Sequence, residues 1–246
     1  MHVHFKAQHP VFGRTTNPRP LGYQQRSPYF WWWEFLRRNT DYLECCANEG
    51  KGQLAALYAD FGDVRTDSFR QWWTAGERGA VLFGEKPLPT TVKELHDASE
   101  WDSTWTKDTV MVLAVPLEIG KRRLQRYFAK LLIGRHKGKR GRKALSESDA
   151  STAKYPLHRN VSIHTLRIQL SVYDAMTANN LAVKKRTLAR IGADLRLVTT
   201  AMPSAKDDKR DAAFKRNVMA ATVGRHYKDA VRIIANTVNG QFPNSK

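Results

Sequence analysis

The stretch KKRTLARIGADLRL, Lys184 to Leu197, followed after a polar turn by the run from Lys209 to Ile234, decides how the C-terminal part folds. In the first piece Leu188, Ile191 and Leu195 recur at helical spacing, with the small Ala189 and Ala193 beside them. The second piece has no proline between Asp207 and Asn236 and stops near Asn239-Gly240, which reads as one long helix. Phe214, Val218, Val223, Tyr227, Val231 and Ile234 are expected to face inward. That leaves Lys209, Arg210, Lys215, Arg216, Arg225, Lys228 and Arg232 for solvent. A short apolar-faced helix before a basic one is the pattern of a helix-turn-helix, whose second helix enters the major groove. The connection, Val198 to Asp208, is longer than the usual turn of about three or four residues. An ordinary bundle with a solvated basic face is the alternative.

Working outward, Ile163, Leu166, Leu170, Tyr173 and Thr177 make a further helical stripe beginning at a Ser162 cap. Residues 156–246 therefore read as an all-α, helix-turn-helix-like DNA-binding domain. Residues 135–155 are rich in Gly, Lys, Arg and Ser, and read as a basic linker. Ahead of it, Ser27-Pro28 supplies a cap and a first-turn proline, and Tyr29 to Cys46 reads as one helix, apolar nearly all round. Shorter helices are expected from about Gly52 to Phe61 and from Ser68 to Ala75, the latter capped by Asp67. Residues 76–104 read mostly as loop. Thr109 to Pro116 (TVMVLAVP) is β-branched and almost continuously apolar, which reads as a buried strand. Ile119 to Ile133 reads as a helix with Leu124, Phe128, Leu131 and Leu132 inward. The expected fold class is thus α+β and predominantly helical, with a small α/β N-terminal domain at 28–134. Residues 1–27, rich in proline and without apolar periodicity, read as a flexible arm.

The charge is divided along the chain. Of 246 residues, Met1 to Gly120 hold 13 Lys and Arg against 15 Asp and Glu, while Lys121 to Lys246 hold 28 against 8. An excess of this size on one half implies a polyanionic partner, and nucleic acid is the first candidate because neutralised phosphates release counterions. No segment reaches the length of a membrane span, and no apolar signal core opens the chain, so a cytoplasmic, nucleoid-associated protein with no membrane partner is expected. Cys45 and Cys46 are adjacent, which suits neither a structural disulfide nor a zinc site.

The candidate nucleic-acid contacts fall into two groups. Lys121, Arg122, Arg123 and Arg126 lie on the expected helix, and Arg135, Lys137, Lys139, Arg140, Arg142 and Lys143 in the linker. This run from Lys121 to Lys143 contains 11 positive charges and no acid, and a flexible basic segment can follow phosphates without reading sequence. The second group is Lys184, Lys185, Arg186, Lys209, Arg210, Lys215, Arg216, Arg225 and Lys228. The aromatic clusters Trp31–Trp33 and Trp72–Trp73 could stack on bases, but their helical spacing in the acidic half favours a core or a subunit interface. Catalytic signals are thin. His164 and Arg167, with Tyr227, match only a fragment of the tyrosine-recombinase pattern, and Ile168 stands where that pattern needs a histidine. His2, His4 and His9 sit in the arm, a poor preorganised metal site. No enzyme activity and no cofactor are expected.

The blocks SPYFWWWEFLRRNTDYLECC (Ser27–Cys46), LYADFGDV (Leu57–Val64) and FRQWW (Phe69–Trp73) resemble a transcription-regulator-like domain of proteobacterial genomes and mobile elements. LRIQLSVYDAMTANN (Leu166–Asn180), LARIGADL (Leu188–Leu195) and KRNVMAATVGRHYKDAVRIIANTVNGQFP (Lys215–Pro243) resemble the RovC-type DNA-binding domain. The resemblance covers most of the chain. It implies an activator of bacterial type VI secretion genes that binds double-stranded promoter DNA as a homo-oligomer, up to a hexamer. RNA polymerase would be a further partner of such an activator. A non-specific architectural or mobile-element accessory protein is the alternative from charge alone.

Overall fold

The computed structural model describes residues 4–66, 68–85, 92, 94–101, 105, 107, 110–133, 135, 151–158 and 162–246. Among these, α1 (Leu21–Gln24) is a single turn. It leads into α2 (Pro28–Leu36), α3 (Thr40–Ala47), α4 (Ala55–Phe61), α5 (Phe69–Thr74) and α6 (Arg78–Phe83). After these come α7 (Lys121–Leu132), α8 (Ile163–Leu181), α9 (Leu188–Asp194) and α10 (Lys209–Thr237).

The helix expected from Tyr29 to Cys46 is two helices. Asn39 breaks it: its side-chain oxygen accepts the Tyr42 N–H at 2.9 Å, and its amide donates to the Ile234 carbonyl of α10 at 3.1 Å. A buried Asn with both ends satisfied is more stable capping α3 than continuing α2. Seven of the nine residues of α2 are buried, so the helix is covered on every side. The loop expected after residue 76 contains α6, which buries Leu82 and Phe83. Its Gly79 is a glycine because a Cβ there would overlap the Trp73 indole.

The expected α/β domain is not present. Val110 to Pro116 carries no regular structure and is exposed or half-exposed throughout, with Val112 59 % exposed; Thr109 lies outside the described residues. Among the described residues the only β-type pairings are three isolated bridges, His4 with Glu85, Gly13 with Pro18 and Leu157 with Phe242. A β-branched run becomes a strand only where another strand pairs with it. Here Leu113 to Pro116 line an open groove with α7 instead. The described fold is mostly helical and holds no sheet among the described residues.

One hydrophobic cluster joins segments from both halves of the sequence. It holds Trp32, Phe35, Tyr42, Phe61, Trp72 and Phe83 together with Leu166 and Leu170 of α8, Ile233 and Ile234 of α10, and Phe242. Trp32 stacks on Phe242 with ring centroids 5.2 Å apart. Arg38 ties the same two regions, pairing with Asp174 of α8 at 2.7 Å and with Glu34 at 2.5 Å. Phe5 and Phe12, from the stretch read as a flexible arm, pack against this cluster. A second, smaller cluster (Val172, Ile191 and Val223) seats α9 on α8 and α10. At Gly192 of α9 a Cβ would collide with Met219, so these two helices approach more closely than any other side chain allows.

Glu85 joins the two described segments that flank residues 86–150. Its carboxylate accepts the Ser151 hydroxyl at 2.5 Å and the Thr152 N–H and hydroxyl at 2.7 and 2.9 Å. Burial would raise this carboxyl, but those bonds outweigh it and hold it below the usual glutamate range. The described segments that end at Glu85 and resume at Ser151 are therefore tied to each other directly. No described residue from 92 to 135 is buried or packs on either cluster. Replacing residues 86–150 with a short Gly/Ser linker should leave a cooperatively folded core. Because each halving of a loop recovers about 0.6 kcal/mol, calorimetry should show a thermal midpoint equal to or above that of the full chain. A broad or lowered transition would show that the excursion carries part of the core.

Candidate nucleic-acid interface

The long helix α10 sorts its side chains by face. Met219, Val223, Ala230, Ile233, Ile234 and Thr237 are buried. The opposite face runs Arg210, Phe214, Asn217, Ala221, Arg225, Lys228, Arg232, in steps of three and four residues, all of them exposed and none acidic. At 1.5 Å per residue this strip is about 33 Å long, close to one turn of duplex DNA. The N-terminus of α10 is fixed by Asp208, whose side chain accepts the Asp211 N–H at 2.7 Å.

Two of the expected inward positions face out. Phe214 is 68 % exposed and Val231 40 % exposed, while Val218 and Tyr227 are half-buried. The real inward stripe runs through Met219, Ala230 and Thr237, whose weak apolar signal hides its phase. Phe214 and Asn217 thus join the outward strip, as does Arg232, whose guanidinium also donates to the Ser245 carbonyl at 3.3 Å.

The expected contacts divide into available and committed cations. Lys209, Arg210, Arg216, Arg225 and Lys228 are exposed and make no ion pair among the described residues. Lys215 does: it pairs with Asp207 at 2.5 Å, holding the Asp207 carboxyl below its usual range and pinning the Val198–Asp208 connection. That connection contains a 3-10 turn, Thr199–Ala201, and closes a small cleft against α9 lined by Ala193, Pro203, Asp207 and Arg216. Lys184 and Lys185 are exposed ahead of α9. Arg186 is clamped, its backbone N–H donating to Asn179 and its guanidinium pairing with Asp194 at 2.9 Å. Arg190, not among the expected contacts, shares Asp194 at 3.0 Å.

On α7, Lys121, Arg122, Arg123 and Arg126 are exposed, with the Arg123 guanidinium donating to the Tyr127 hydroxyl at 2.8 Å. Arg135 is exposed and reaches the Met111 sulfur at 3.7 Å. Lys137, Lys139, Arg140, Arg142 and Lys143 lie outside the described residues.

The other candidates are absorbed by packing. Trp31, Trp32, Trp33, Trp72 and Trp73 are all buried within one chain, so they are neither stacking platforms nor a free subunit surface. Tyr227 stacks on Tyr173 at 6.0 Å, and the Arg167 guanidinium lies over the Trp31 ring. His9 packs on Phe5 and Trp73. Cys45 and Cys46 are buried and unbridged. Among the described residues there is no cluster of potential metal ligands, and no helix is long and apolar enough to cross a membrane. No family model, no curated protein and no solved structure matches the chain.

Proposed function

We propose that this protein is a double-stranded DNA-binding transcription regulator acting as a homo-oligomer in the bacterial nucleoid. The observation that carries the reading is the outward strip of α10, where Arg210, Arg225 and Lys228 stand exposed along about one duplex turn and the one exposed acid of the helix, Asp211, lies at its edge. Cations fixed on a rigid helix can grip phosphates without losing much side-chain freedom. The α7 cations add charge on a second element. The finer assignment, a RovC-type activator of type VI secretion genes working with RNA polymerase, rests on the resemblance of the quoted blocks alone.

A second reading has an observation in its favour. The outward strip offers one amide, Asn217, and its Arg and Lys side chains could all be satisfied by phosphates, which carry no sequence. A non-specific architectural protein would use the same face. The two are separated by the ratio of affinities for genomic fragments upstream of secretion operons and for random duplex at one salt concentration. A regulator should give a ratio on the order of a thousand or more. A ratio near one would leave the architectural reading.

A further inference from the structure

The uncharged residues of the outward strip of α10 are gathered at its centre. Arg210 stands at one end and Arg225, Lys228 and Arg232 at the other, with Phe214, Asn217 and Ala221 between them. From Arg210 to Arg225 is about 22 Å along the helix axis. Lys215 and Arg216 belong to the same stretch, but helical geometry puts them about 100° or more round the helix from both Phe214 and Asn217. Phe214 is 68 % exposed, joins neither hydrophobic cluster and stacks on no ring among the described residues. The Asn217 side chain is exposed and makes no hydrogen bond among them.

A helix running along one phosphate strand would need cations at its centre as well as at its ends. A helix lying across the major groove meets the phosphates of the two walls with its ends and the base edges with its middle. Of the two grooves only the major one, about 12 Å wide, admits a helix about 10–12 Å across. The charge pattern of α10 fits this second arrangement. Asp211 points the same way. It lies one turn before Phe214, on the flank away from Asn217, where a carboxylate repels a phosphate but can accept from a base amino group.

We infer that Phe214 and Asn217 read a step of A·T pairs in the major groove, Phe214 packing on a thymine methyl and Asn217 pairing with an adenine edge. The inference rests on the reading of α10 as the DNA-binding face and adds which bases that face selects. The Asn217 amide offers one acceptor and one donor side by side, the complement of the adenine N6 amino group and N7. Thymine carries the one methyl group in the groove, and a phenyl ring has no polar edge to pair with. Phe214 and Asn217 are one turn apart, about 4.5 Å along the axis, close enough to reach neighbouring base pairs stacked about 3.4 Å apart. Ala221, one turn further on, is short enough to let the helix approach the base edges.

Selection from a random-sequence duplex pool by the wild-type chain, followed by fluorescence anisotropy on the enriched duplex, tests this. The enriched sequences should share a two-base-pair step of A·T pairs. Replacing its thymine with deoxyuridine, which removes only the methyl, should weaken wild-type binding about fourfold and leave binding by Phe214→Ala unchanged. Replacing its adenine with 7-deazaadenine, which puts C–H in place of N7, should weaken wild-type binding about fivefold or more and leave Asn217→Ala unchanged. Neither variant should move the thermal midpoint or the salt slope, because both side chains are exposed and uncharged. Enrichment of no sequence, enrichment of G·C pairs at that step, or analogue penalties that survive in the variants would each overturn the inference, while salt-dependent binding would still support the DNA reading. Loss of self-association in Phe214→Ala, with base preference intact, would make the ring a subunit contact and overturn it too. A wild-type chain that binds no duplex at any salt concentration would remove the DNA reading and this inference together.

Discussion

Replacing Arg210, Arg225 and Lys228 together with glutamate is expected to weaken duplex binding by on the order of 100-fold or more at 0.15 M salt. Each phosphate contact contributes about 0.9 to the slope of log affinity against log salt, which at that salt is roughly fivefold in affinity. Three lost contacts multiply to about that figure, and the reversed charges add repulsion. The fold should be untouched, because all three side chains are exposed and none is ion-paired among the described residues. Lys215→Ala is the informative contrast. Its cation already serves Asp207, so its loss should loosen the Val198–Asp208 connection while leaving the salt slope unchanged. Competition binding by fluorescence anisotropy checks both. A triple variant that binds as tightly as the wild type would remove α10 from the interface.

Trp32→Ala should destabilise the whole chain by about 3–5 kcal/mol, the range for emptying a large aromatic site in a core. Trp32 is fully buried and touches Phe61 and Phe83 from one half of the sequence and Phe242 from the other. Against a total stability of about 5–15 kcal/mol, this is enough to unfold much of the population at physiological temperature. Because one cluster spans both halves, denaturation followed by tryptophan fluorescence and by far-ultraviolet dichroism should shift together. Separate transitions, with α8–α10 melting at the wild-type midpoint, would mean that the two regions fold independently.

What could be read from the residues alone follows physical locality. The helices α8, α9 and α10 were legible because their periodicity and the stop at Asn239-Gly240 are local signals, although Ser162, expected to cap α8, makes no side-chain capping bond and the caps that do, Thr187 and Asp208, belong to α9 and α10. The break at Asn39 was not, because the acceptor that stabilises it, the Ile234 carbonyl, is 195 residues away. The strand expected at 109–116 failed for a related reason: β-propensity reports a fit to neighbouring strands, and none is present among the described residues. The short α6 follows two left-handed residues, Gly76 and Glu77, which carry no periodic signature.

The candidate interface was legible as charge and partly illegible as geometry. Counting found Arg210, Arg225 and Lys228, but it could not distinguish them from Lys215 and Arg186. Those two are engaged by Asp207 and Asp194, each eight residues away in sequence. Nor could it place Phe214 and Asn217 on the outward strip, since the phase of α10 is set by Ala230, Ile233 and Thr237 against the first-half core. The aromatic half, read as a means of assembly, spends the five tryptophans of α2 and α5 inside one chain, while Trp101 is 48 % exposed. Exposed apolar side chains gather instead in residues 112–133, where Leu117, Leu131 and Ile133 stand open.

The most direct test of the central claim is the salt dependence of binding to a duplex of about two helical turns, compared between the wild-type chain and the Arg210, Arg225, Lys228 triple variant. The wild-type protein should show a steep log–log slope, about −5 or steeper, and the variant a slope shallower by about 3. Two parallel slopes, or an affinity that does not change with salt, would contradict the assignment of α10 as the DNA-binding face.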